Sequence, residues 1–160
     1  MIVCLYMSHS LVSNHIHLVF ATKGRERCLT PEIRERIWKY LGGIARDSNL
    51  KPIVVGGYDD HCHLLISIPP TVSIAQAVKL LKGSSSRWIS QTFPELKNFA
   101  WQPGYGAFGI GVSQIDRTIQ YINNQEEHHS KNSFEEEYVG FLDHHHISFD
   151  RKTLWQQIED

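Results

Sequence analysis

Two short β-rich runs set back to back constrain the fold more than any other stretch. Pro52-Ile-Val-Val55 and His61-Cys-His-Leu-Leu-Ile-Ser-Ile68 are separated by Gly56-Gly57 and Tyr58-Asp59-Asp60, and Pro69-Pro70 closes the second. Runs of this length bounded by Gly, Asp and Pro predict a pair of strands, with the glycines breaking the first and residues 58–60 holding the turn. A strand and a helix are predicted on each side. His15-Ile-His-Leu-Val-Phe-Ala21 is rich in β-formers. Thr30-Pro31-Glu32 has the capping hydroxyl, first-turn proline and acid of a helix start, with Ile33, Ile37, Leu41 and Ile44 as its apolar stripe and Asn49 as its stop. A second helix is expected from about Ser73 to Thr92, with Ile74, Val78, Leu81 and Trp88 inward and Gly83-Ser-Ser-Ser86 as an interruption. Trp101 to Val112 carries four glycines and predicts a fourth strand with bulges or a close backbone neighbour.

The order β-α-β-β-α-β is the split β-α-β arrangement of ferredoxin-like folds: an α+β domain with an antiparallel sheet and two helices on one face. An additional C-terminal helix is expected over Ser113–His129. Ser113 and Asp116 have the spacing of a capping box, and Val112, Ile115, Ile119 and Ile122 recur at helical spacing. Ser133 and Glu136 box the start of a short acidic helix carrying Phe134, Tyr138 and Leu142. At 160 residues the chain is one domain by length, placed at 7–142, with residues 1–6 as a start-site extension and 143–160 as a weakly patterned tail. No apolar run reaches the length of a membrane span and no signal segment opens the chain. Cys4, Cys28 and Cys62 match no disulfide framework, so a reduced, cytoplasmic protein is expected.

The chemistry-bearing residues follow from direction. At about 100° per residue, Tyr121 points roughly 140° away from the middle of its helix's apolar stripe, and Gln125, one turn on, shares its face. A tyrosine that only packed a core would lie on the stripe. His61 and His63 alternate on one strand and leave it from the same face, while Cys62, Leu64 and Ile66 take the other. Two imidazoles at that spacing suit one metal ion. A second pair, His15 and His17, repeats the pattern, and the runs His128-His129 and His144-His145-His146 suit a polar tail or soft metal capture. What favours His61 and His63 is the company: Gln125 offers a neutral carbonyl oxygen and Tyr121 a phenol. A phenol of pKa near 10 is a poor nucleophile at neutral pH. A phosphate bound to a divalent cation is an easier target, and attack on it would leave a covalent phosphotyrosine.

These segments resemble the single-tyrosine HUH transposases of small insertion sequences, of the IS-two-hundred type, and their repeat-associated relatives. The resemblance runs through HLVFATKGRERCL at 17–29, VGGYDDHCHLLISIP at 55–69, KLLKGSSSRWI at 79–89, WQPGYGAFGIGVS at 101–113, YINNQEEHH at 121–129 and SFEEEYVGFL at 133–142. It implies that His61 and His63 bind a divalent metal, Mg²⁺ or Mn²⁺, with Gln125 completing the site and Tyr121 as nucleophile. It also implies cleavage of single-stranded DNA to a 5′-phosphotyrosine and a free 3′-hydroxyl, at hairpin-forming element ends, by a homodimer. Lys23, Arg25, Arg27, Lys79, Lys82 and Arg87 are the expected phosphate partners. Trp101, Tyr105 and Phe108 are candidates either for base stacking or for the core. Charge is segregated: residues 1–100 carry a net +5 and residues 101–160 a net −6. That pattern admits phosphate contacts from the first part only. The alternative is a non-catalytic single-strand nucleic-acid module of the same fold, against which the missing aromatic RNA-binding signature counts. A metal-dependent hydrolase of small phosphoesters is a third reading.

Overall fold

The computed structural model describes residues 10–155; the predicted start-site extension lies outside them. Four strands, β1 (His15–Ala21), β2 (Lys51–Gly57), β3 (His61–Ser67) and β4 (Gly106–Ile110), form one sheet in the order β2-β3-β1-β4, with every neighbouring pair antiparallel. Helices α1 (Pro31–Asp47) and α2 (Ile74–Thr92) complete the predicted α+β order.

Alternation decides which residue faces which layer. Ile16, Leu18 and Phe20 of β1 and Cys62, Leu64 and Ile66 of β3 point to the face covered by α1 and α2. There they join Ile37, Leu41, Val78, Leu81 and Ile89 in the main core. Val19 and Ala21 point the other way and pack with Phe108, Phe134 and Leu142 in a second cluster. β1 is central and covered on both faces, which is why Leu18 to Ala21 run apolar without alternation and His17 is buried with them.

The helix ends follow their local chemistry. Thr30 caps α1 by accepting from the Ile33 N–H, and Pro31 occupies its first turn. At the other end Asn49 takes a left-handed φ of 61°. The Leu50 N–H donates to the Ala45 carbonyl and the Asn49 N–H to that of Arg46, a Schellman closure. α2 begins at a reciprocal Ser73–Gln76 capping box and, contrary to expectation, runs unbroken through residues 83–86. Ser85 explains the continuity. Its hydroxyl donates to the Leu81 carbonyl at 2.6 Å, inside the helix, and accepts from Trp101 Nε1 at 2.9 Å.

The predicted strand over residues 101–112 is shorter. Trp101 makes only a lone bridge to Thr22, and regular pairing begins at Gly106. β2 is longer than predicted, because Gly56 and Gly57 continue it rather than break it.

The last part of the chain covers the second face of the sheet with α3 (Ile115–Asn123), α4 (Gln125–His129) and α5 (Phe134–His144). The expected Ser113 capping box does not form. Residues 112–114 make a 3-10 turn, and the extended residue ahead of it is Gly111, which has no side chain to cap with. Asn124 then interrupts the predicted single helix, so Tyr121 and Gln125 stand on consecutive short helices. Val112, expected on the buried stripe, is exposed, and Ile122 is the residue of α3 that is fully buried. The predicted Ser133–Glu136 box is present at the start of α5. Beyond α5, Phe149, Leu154 and Trp155 pack on the second cluster. No helix among the described residues is long and apolar enough to cross a membrane.

Candidate active site

His61 and His63 leave β3 from the face opposite the main core, as the alternation requires, and both are completely buried. Register places His63 beside Val19 and His61 beside Ala21 of β1. Asp60, at the end of the hairpin turn, puts Oδ1 2.6 Å from His61 Nδ1. A ring that donates from Nδ1 keeps Nε2 as its lone-pair atom and points it into the site. His63 is held from behind in the same way, with its Nδ1 2.8 Å from His17 Nε2. His17, of the histidine pair set aside above, therefore positions His63.

α3 and α4 bring the remaining predicted residues. Tyr121 is half-buried, its ring edge-on to His63 at 5.9 Å and to Phe141 at 5.7 Å between centroids. Its hydroxyl lies 3.3 Å from His128 Nε2. Gln125 is buried, anchored by its amide N–H to the Tyr121 carbonyl, and its Oε1 lies 3.1 Å from His61 Nε2 and 3.0 Å from His129 Nε2. The four residues expected to share a site, His61, His63, Tyr121 and Gln125, thus converge within one chain.

Glu137 of α5 was not anticipated. It is 7% exposed, and its carboxylate reaches His63 Nε2 (2.7 Å), His129 Nε2 (2.5 Å), His61 Nε2 (3.7 Å) and His128 Nε2 (3.8 Å). A signal existed in the sequence: Phe134, Glu137 and Phe141 recur at helical spacing, so Glu137 is an acid on an apolar stripe. His129 follows Gln125 by one turn and shares its face. The ligand atoms of His61, His129 and Glu137 all lie within 4.8 Å of one another.

The electrostatics are those of a closely coupled cluster. Burial raises the Glu137 carboxyl, but the imidazoles of His63, His129 and His61 outweigh it and hold the group well below the usual carboxylate range. Burial lowers His63, partly offset by Glu137, and burial with the neighbouring His63 lowers His17 further. Burial first, then the charge of Glu137, pushes the Tyr121 phenol far above its ordinary value. Two cavities flank the tyrosine. One of about 410 Å³ is lined by His17, Gly109, Arg117, Tyr121, Phe141 and His145, and one of about 270 Å³ by Tyr121, His128 and Lys131 among others.

The basic residues divide. Lys82 donates to the carbonyls of Gln102 (2.6 Å) and Gly104 (2.8 Å), so it ties α2 to the loop before β4. Arg25 pairs with Glu135 and lies 5.0 Å over the Trp155 ring. Arg27 is within 4.0 Å of Asp59. Lys23, Lys79 and Arg87 are exposed. Of the aromatics, Trp101 and Phe108 are core residues and Tyr105 is exposed.

Comparison with known proteins gives the family of the chain. The family described as "Transposase IS200 like" matches residues 10–125. The chain belongs to this family. The ISDra2 transposase TnpA of Deinococcus radiodurans is 31% identical over 114 residues, covering 68% of this chain and 81% of that protein. The transposase for insertion sequence element IS200 of Salmonella typhimurium is 28% identical over 124 residues, covering 74% and 81%. A crystal structure from Deinococcus radiodurans R1, described as of a transposase, superposes with a TM-score of 0.62 at 30% identity, covering 74% of this chain and 96% of that one. A REP-associated tyrosine transposase solved bound to a REP hairpin shares the fold, with a TM-score of 0.57 at 15% identity over 78% of this chain and 73% of that one. This IS200-like transposase is accordingly an enzyme of DNA transposition. His128, His129 and Glu137 lie beyond the residues that match the family.

Proposed function

We propose that this transposase cleaves and rejoins single-stranded DNA through a phosphotyrosine on Tyr121, with His61, His63 and Gln125 holding a divalent metal ion beside it. The convergence of that hydroxyl-bearing ring with two buried imidazoles and a buried amide oxygen in one chain carries the reading. The donor set fits a cation. His63 Nε2 and His129 Nε2 converge on the buried Glu137 carboxylate, and His61 Nε2, the lone-pair atom when Nδ1 donates to Asp60, faces the Gln125 oxygen. Imidazole donors suit Mn²⁺ better than Mg²⁺, which prefers oxygen. Bound there, such an ion draws charge from the phosphoryl oxygens and orients phosphorus for in-line attack.

In the step itself the Tyr121 oxygen bonds to phosphorus as the P–O3′ bond breaks. The phenol loses its proton, and His128 Nε2, 3.3 Å away, is placed to take it. The departing 3′-oxygen is protonated to a free 3′-hydroxyl. Phosphodiester energy stays in the 5′-phosphotyrosine, so attack by another 3′-hydroxyl rejoins strands without a nucleotide cofactor. An insertion sequence has two ends and each chain has one Tyr121, which makes a homodimer the working unit. Hairpin-forming element ends are the natural substrates, since a protein of the same fold was solved on a hairpin.

The test is incubation with single-stranded DNA carrying the element's ends and Mn²⁺ or Mg²⁺, followed by denaturing electrophoresis. A protein–DNA adduct is expected, lost in Tyr121→Phe and lost on chelation or in His61→Ala. An adduct that survives Tyr121→Phe overturns the nucleophile assignment. One that survives both His61→Ala and chelator overturns the metal.

A further inference from the structure

We infer that Glu137 and His129 are ligands of the same divalent cation, so that α5 supplies the anionic donor of the site. The inference rests on the metal-dependent reading above and adds two ligands from beyond the family-matched segment.

Position comes first. The Ser133–Glu136 box fixes where α5 begins, and Phe134 lies against His61 with ring centroids 4.4 Å apart and planes at 25°. One turn later Glu137 necessarily lies over the His61–His63 face. Its surroundings then decide its role. A buried carboxylate normally has a guanidinium, an ammonium or several N–H donors beside it. Among the described residues every charge partner of Glu137 is an imidazole, four in all, the Tyr121 hydroxyl is a further hydrogen-bonding neighbour, and no guanidinium or ammonium pairs with the carboxylate. In the metal-free chain a single protonated imidazole, such as His129 at 2.5 Å, can match the carboxylate's charge. A divalent cation bound by neutral imidazole and carboxylate supplies the same positive charge in its place and draws on all the converging nitrogen and oxygen lone pairs at once. Gln125 Oε1, between His61 Nε2 and His129 Nε2, is an oxygen in the same position.

The competing role for Glu137 is a plug, a carboxylate standing where the scissile phosphate must go. Its anchorage argues against that. Phe134 and Leu142 hold α5 in the second core cluster with Val19, Ala21 and Phe108, so withdrawing Glu137 means unpacking the helix. As a ligand it is also useful. One carboxylate on a doubly charged ion leaves a net single positive charge for the incoming phosphate, and the anionic donor strengthens an otherwise neutral set.

The test measures Mn²⁺ binding directly, with the full chain stripped of metal and Mn²⁺ as the only probe, by calorimetry or by the loss of the free-ion electron paramagnetic resonance signal. Glu137→Gln and His129→Gln are each expected to weaken binding at least tenfold. Glu137→Asp, which keeps the charge, should recover part of the loss. Glu127→Gln, at an exposed position of α4, should match the parent. Circular dichroism reports whether each variant folds, and His129→Gln carries the test if Glu137→Gln does not. Binding within twofold of the parent in folded Glu137→Gln and His129→Gln, with His61→Ala still weakened, overturns this inference and leaves the metal reading standing. Unchanged binding in His61→Ala as well overturns both. Unchanged Mn²⁺ binding with faster adduct formation in Glu137→Gln identifies a plug and overturns the inference.

Discussion

Gly56 sets the rotational phase of Tyr121. A Cβ at this position of β2 would stand 2.8 Å from both the Ile122 side chain and the Ile122 carbonyl oxygen. α3 therefore lies directly on the strand backbone, and the residue before Ile122 is Tyr121, the proposed nucleophile. Gly56→Ala must push α3 away. Overpacking of this kind costs about 1–3 kcal/mol, which for a domain of this size lowers Tm by about 2–10 °C. The adduct yield should fall with it, because Tyr121 moves with the helix. Ile122→Ala should not rescue the variant, since the backbone oxygen remains. A parental Tm and yield in Gly56→Ala would mean that α3 does not rest on β2. Ser85 makes a comparable point at the other face. Removing its hydroxyl in Ser85→Ala leaves the buried Trp101 Nε1 without its acceptor, at a cost of about 1–3 kcal/mol, read as a drop in Tm.

At the scale of elements, legibility in the sequence tracked how local the cause was. β1, α1 and β3 were visible because their patterns and end residues act within a few positions: Pro31 and Thr30 at one end of α1, Asn49 at the other. The two expected capping boxes separate the cases. Ser133–Glu136 forms. Ser113–Asp116 has the same spacing, yet the chain enters α3 through a 3-10 turn led by Gly111. The entry angle there is set by packing on β2, which no local pattern records. The unbroken α2 is another tertiary outcome, since residues 83–86 become helical against the loop at Trp101. Glu137 was hidden for a different reason: a run of three glutamates looks like a solvated face until the aromatic residues around it are placed. Lys82 was expected to contact phosphate, because a lysine off an apolar stripe looks like a phosphate partner, whereas in the structure it is tied to the loop before β4. Its two bonds to backbone carbonyls predict that Lys82→Gln lowers stability by about 1.5 kcal/mol and leaves the salt dependence of DNA binding alone. Exposed Lys79 predicts the reverse: if it contacts a phosphate, Lys79→Gln keeps the parental Tm and reduces the log–log salt slope by about 0.7.

For the molecule as a whole, the segregated charge acts partly inside the chain. The acidic C-terminal part folds back on the basic first part, with Glu135 on Arg25 and Glu126 on Arg34. The basic face left for DNA is therefore smaller than the sequence count suggests. The same folding back brings Tyr121, Gln125, His129 and Glu137 onto the sheet that carries His61 and His63, so the residues of the proposed site all come from one chain. If two chains cooperate on two element ends, each should cut with its own tyrosine and its own histidines. Mixing Tyr121→Phe with His61→Ala distinguishes this from a shared arrangement. In a shared site, mixed dimers pair an intact tyrosine with intact histidines from opposite chains and regain roughly a quarter to a half of the adduct, by random pairing of two-chain assemblies. With the site complete in one chain, neither protein in the mixture holds both parts, and the yield should stay at the background of the separate variants. Recovery on mixing would show that α3 and α4 exchange between protomers in the working enzyme.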